Sequence, residues 1–176
     1  MANYLAIWED KQLIAAQNRF IANQIMCLND RIAEHGIVLS QNDCKDIAEF
    51  RHETLIESER VEIGMGILER IITEFSESGY VDQKNFRQVV EDLLECFYII
   101  KNETEEKASD DQVMEFLHYL FEVAVGGDTS KLYDAEDFDK FVAVMLGRVV
   151  DDVVEEDKNE RDRGYLGDAA DDNKKM

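Results

Sequence analysis

Apolar residues return every three to four positions along nearly the whole chain, the spacing of one helix face. No stretch shows sustained period-two alternation bounded by turns. The pattern predicts an all-α fold, a helical bundle of about six helices with no β-sheet. The first stripe, Leu13, Ile14, Phe20, Ile21, Leu28 and Ile32, predicts one long helix over 9–35. It stops at Gly36, the residue type that most readily takes the left-handed turn past a helix end. Ahead of it, Leu5, Ile7 and Trp8 are expected to pack back on the body.

Ser40 is placed to cap a helix reaching 57, with Asp43 in its first turn and Cys44, Ile47, Ala48 and Leu55 on its core face. The stripe Val61, Met65, Leu68, Ile71, Ile72 and Phe75 predicts a helix over 59–75. Gly64 and Gly66 would thin one of its sides for close helix–helix approach. Ser78-Gly79-Tyr80 interrupts the pattern, and a helix over 83–102 follows with Phe86, Val89, Val90, Leu93, Phe97 and Ile100 inward. Ser109 and Gln112 form a capping box for the next helix, which Gly126-Gly127 closes. A last helix is predicted over 135–154. Beyond Glu155 the chain is charged and loses apolar periodicity, so the expected organisation is one helical domain over 1–155 and an acidic, disordered tail over 156–176.

Composition narrows the partners. The 176 residues contain no proline, which suits unbroken helices, and 45% are hydrophobic, enough for a real core. A net charge of −21 repels nucleic acid and anionic lipid, so neither nucleic acid nor membrane is expected as a partner. From Glu103 to Asp139 there are twelve acidic residues and two basic ones. That region is the expected docking surface for a basic protein partner, with an acidic nucleic-acid mimic as a further alternative. No apolar run approaches a membrane span, the start lacks the basic n-region of a signal peptide, and the three cysteines fit reduced thiols. The expected compartment is cytoplasmic.

Candidate chemistry is sparse. Glu49-Phe-Arg-His52 and Glu115-Phe-Leu-His118 repeat the Glu-x-x-His of di-iron helical bundles. At 100° per residue, however, both glutamates fall opposite the apolar stripes, and ligands of an interior site cannot project outward. Cys27, His35, Cys44 and His52 lie eight or nine residues apart, too far along a helix to share one zinc. The segment 74–85 imitates a calcium loop but ends on Asn85, which supplies no bidentate carboxylate. No metal and no cofactor are therefore expected. What remains is polar residues within core stripes. Arg51 sits in the centre of the Cys44–Leu55 face, and Lys101, Asn102 and Glu103 end an apolar turn. A buried arginine needs a carboxylate, and Glu62, Glu95 and Glu103 are the candidates. Arg51, Glu62, Lys101 and Glu103 form the candidate ligand-binding cluster, read either as an ion-pair network between helices or as a polar pocket.

The stretches Arg51-His-Glu-Thr-Leu55, Arg60-Val-Glu-Ile-Gly64-Met-Gly66, Phe75-Ser-Glu-Ser-Gly-Tyr80 and Phe97-Tyr-Ile-Ile-Lys101-Asn102-Glu103-Thr104, continued by Ser109-Asp-Asp111, resemble a family of helical proteins from Firmicutes labelled as a domain of unknown function. The resemblance spans about residues 40–130. It implies a bacterial origin and a helical fold, and it brings no activity or catalytic residue. The sequence thus reads first as a non-enzymatic interaction or regulatory module. A small-ligand-binding protein or enzyme built around Arg51 and Lys101 is the rival.

Overall fold

The computed structural model describes residues 11–148, and among them the chain is helical without any strand. The α-helices are α1 (Lys11–Cys27), α2 (Asn29–Ile32), α3 (Gln41–Glu57), α4 (Ile67–Phe75), α5 (Phe86–Glu103), α6 (Asp110–Tyr119) and α7 (Glu136–Met145). Six of the seven are nine residues or longer, and α2 is a single turn. A π-helical turn, Leu120–Ala124, extends α6, and short 3₁₀ turns occupy Ala33–His35 and Thr129–Lys131. The apolar lead, residues 149–155 and the 156–176 tail lie outside the described residues.

Helix α5 organises the bundle. Eleven of its 18 residues are buried, its polar stripe is confined to the side of Gln88, Asp92, Glu95 and Asn102, and α3, α4 and α6 pack against it. Helix α1 lies outside on α3. Helix α7 closes the other side, with Phe141 stacked on Phe116 of α6 at 4.0 Å between ring centroids.

The ends follow from local chemistry. Ser40 and Ser109 each accept from the backbone three residues on, and Asp43 and Gln112 reach back to complete both capping boxes. The 36–40 link is held by side-chain amides that take the place of a neighbouring strand. Asn29 exchanges two hydrogen bonds with the backbone of Leu39, and Gln83 exchanges two with Val38.

Several expectations need correction. The helix over 9–35 is broken at Leu28, where α1 gives way to α2 and a 3₁₀ turn before Gly36, which does take the left-handed conformation. The helix expected from residue 59 begins only at Ile67. Residues 58–66 form a loop in which Gly64 and Gly66 have φ of 72° and 55°, so these glycines serve the turn and not a helix contact. Val61, expected in the core, is exposed. The last helix ends at Met145, because Gly147 turns left-handed at φ 72° and Arg148 closes back on Ala143. Leu13 and Phe20 are exposed as well, because α1 buries only Ile21 and Ile25.

Candidate functional site

Arg51 lies where the core face of α3 places it, 5% exposed. Its Nη2 donates to Glu62 Oε2 at 3.1 Å and to the Gly64 carbonyl at 2.8 Å. Glu62 comes from the 58–66 loop and not from a neighbouring helix, which corrects the expected interhelical pairing. The Nε of Arg51 is enclosed without a hydrogen-bond partner, and Nη1 makes no hydrogen bond among the described residues. Both residues line a groove of about 470 Å³ between α1, α3 and the loop. Burial holds His52, on the same groove, below the ordinary imidazole value; Glu53 opposes that shift and Arg51 adds to it.

Lys101 is also buried, but at another place. Its Nζ donates to the Ala108 carbonyl at 2.9 Å and pairs with Asp110 at 2.9 Å and Glu106 at 3.2 Å, which fastens the α5–α6 connection. Between the two clusters stands Arg60, which sequence reasoning missed. It bonds Asn102 at 2.7 Å, pairs with Glu106, and lies over the Tyr98 ring at 5.6 Å. Tyr98 is fully buried, and its hydroxyl has no well-formed hydrogen bond. Burial, then the nearby Glu62 carboxylate, pushes its phenol far above the ordinary range. The sequence carried no signal for Arg60, because the left-handed residue that turns it off the axis of α3 is Glu59 and not a glycine.

Arg60 thereby staples the C-terminal ends of α3 and α5 together. Both ends close with an i to i−5 backbone bond, Arg60 to Leu55 and Glu106 to Lys101. Glycine favours the left-handed position that such an end requires, yet here it is filled by Glu59 (φ 57°) and Glu105 (φ 50°), followed by Glu106 (φ 61°). These three, with Glu57, rim an open polar groove of about 460 Å³ that also contains Lys101.

The candidate cluster therefore does not converge. Arg51 and Glu62 face one groove, Lys101 faces the other, and Glu103 is exposed and joins neither pair. The Glu-x-x-His repeats do not assemble either. Glu49 and Glu115 are exposed, and His118 pairs with Glu74 at 3.0 Å while stacking flat on Phe75 at 4.1 Å. Burial works against the Glu74 carboxylate, but hydrogen bonds from Arg70 and His118 hold its pKa below the ordinary value. In the calcium-like segment, Asp82 Oδ1 accepts from the Lys84 and Asn85 backbone and Asn85 Oδ1 accepts from Asp82, a local cap for the turn into α5. Cys44 and Cys96 are buried, their thiols pushed up to about 11 and about 12 chiefly by burial.

A model for a family of unknown function, DUF6323, matches residues 24–145, well over half of the chain, and the chain belongs to that family. The match extends beyond the stretches that carried the resemblance, to α1 on one side and α7 on the other. No curated protein and no solved structure matches.

Proposed function

We propose that this member of a family without an assigned activity is a non-enzymatic interaction module that receives a basic partner protein on its acidic surface. The reading centres on the groove where α3 and α5 end and continues into the 103–139 region. One observation carries it: Glu59 and Glu105 occupy left-handed positions that glycine would fill with less strain, and both project charge at the same groove. Two helix C-termini meeting there add partial negative charge to that of these glutamates. Further out, Glu103, Glu115, Asp134 and Asp139 are exposed.

The commitments of the reactive groups support a non-enzymatic role. Lys101 is spent on three partners, His118 on Glu74, and the thiols of Cys44 and Cys96 are buried in their protonated form. Among the described residues no helix is long and apolar enough to cross a membrane, and the three cysteines are free. Free thiols support a cytoplasmic setting.

The test uses the isotope-labelled chain and a short lysine-rich peptide at physiological salt. Amide shifts are expected to concentrate at 57–59 and 103–111. The double variant Glu59→Lys, Glu105→Lys should weaken binding by about tenfold and flatten its salt dependence. Shifts spread evenly over all acidic residues, or binding indifferent to both substitutions, would defeat the reading.

A further inference from the structure

Away from the acidic groove, the one between α1, α3 and the 58–66 loop has a different character. Its walls include Phe20 and Ile21 of α1, Leu55 of α3, and Val61 and Ile63 of the loop. Phe20 is 58% exposed, Val61 68% and Ile63 98%, an unusual concentration of open apolar surface for a chain in which 34% of residues are charged. Helix α1, which forms one wall, carries Lys11 and Arg19 and no acidic residue, in contrast to the rest of the surface.

At the base of these walls stands a cation whose donors are only partly used. A guanidinium offers five N–H groups in a planar fork, and Arg51 uses those of Nη2 alone, on Glu62 and Gly64. Nε is enclosed and unpartnered. Nη1 is not among the enclosed atoms, lies on a residue that lines the groove, and makes no hydrogen bond among the described residues. Nε, being enclosed, is out of a ligand's reach, so Nη1 is the donor left to the groove, and it can hold a carboxylate oxygen end-on.

We propose that this groove binds a carboxylate carried on an apolar body, such as a medium-chain aliphatic acid or an aromatic acid. The carboxylate pairs with Nη1 of Arg51, and the body covers Phe20, Val61 and Ile63. Glu62 keeps its hold on Nη2 and orients the fork. Gly66, on which the Glu62 carboxylate rests, sets the position of Glu62. A neutral ligand of the same shape gains the apolar contacts and leaves Nη1 as it is; a short carboxylate gains the ion pair and leaves the walls exposed. Only the combination answers both features.

The experiment titrates the labelled full chain at physiological salt with octanoate, octanol and acetate, following the Arg51 Nε–H resonance and the backbone amides. Octanoate is expected to saturate, shifting Arg51 Nε–H together with Phe20, Ile63 and Gly64, with octanol and acetate weaker by about tenfold or more. Arg51→Lys should abolish the preference for octanoate over octanol. Because Arg51 also supports the fold, Phe20→Ser and Ile63→Ser, at exposed positions, provide a second arm and should weaken octanoate by several-fold. Equal binding of octanoate and octanol overturns the proposal, and so do shifts outside the groove, retained preference in Arg51→Lys, or no saturable binding at all.

Discussion

Glu62 rests on Gly66 so closely that a single methyl group added at residue 66 would overlap its carboxylate. The same carboxylate holds Arg51 at 3.1 Å, so the glycine is the floor under the buried ion pair. Gly66 also adopts φ 55° and ψ −137°, a conformation open in practice only to glycine.

Gly66→Ala is therefore expected to destabilise the protein by about 2 kcal/mol or more, through strain and displacement of Glu62 together. Gly36 supplies the control: its φ is 79°, but nothing lies near its missing side chain, so Gly36→Ala should cost only about 1 kcal/mol. Urea midpoints of the two variants measure the difference, and equal losses would remove the role assigned to the Glu62 contact.

Arg51→Ala should cost on the order of 3 kcal/mol, because it removes one partner of a pair enclosed on the arginine side and leaves the Gly64 carbonyl unmet. Glu62→Gln is expected to cost less, since the amide keeps the shape and can still accept from Nη2. Denaturation midpoints in the order wild type, Glu62→Gln, Arg51→Ala check this.

Replacing strained glutamates should move stability the other way. Glu59→Gly and Glu105→Gly each place the preferred residue at a left-handed helix end and are expected to raise stability by up to about 1 kcal/mol. If the acidic groove is the docking surface, both variants bind the lysine-rich peptide more weakly while melting higher. That combination distinguishes positions retained for function from positions neutral to it.

Two carboxylates should show opposite pH behaviour. Glu74 is held below its ordinary value by Arg70 and His118, so its contribution is present above the unfolded carboxylate pKa and is lost as pH falls through the lower folded value. Glu91 is buried beside Asp43, Asp46 and Asp92, and burial, only partly offset by Arg87, raises its pKa. Its ionised form therefore opposes folding above the raised folded value, and the penalty disappears as pH falls below the unfolded one. Glu74→Gln should lower the urea midpoint at neutral pH and Glu91→Gln should raise it, with both differences shrinking toward pH 3.

Much of this was readable from residues close in sequence. Ser40 and Ser109 cap their helices through partners three positions away, and Gly36 ends its segment by its own backbone freedom. Arg51, centred among Cys44, Ile47, Ala48 and Leu55, could only be buried, and Glu62 was among its possible partners. The apolar stripe from Val61 to Phe75 misled, because periodicity does not register that Gly64 and Gly66 turn the chain left-handed before Ile67.

By itself, then, the sequence determined the all-α class, most helix ends, the family, and a buried arginine that demands a carboxylate, since each depends on backbone preference or on burial along one element. The tertiary structure decided the rest. It separated Lys101 from Arg51, left Glu103 in solvent, brought the ends of α3 and α5 together under Arg60, and left Phe20 and Ile63 uncovered on the rim of a groove. These outcomes depend on which elements lie across from one another, and a helical period records only that a face is apolar, never what covers it.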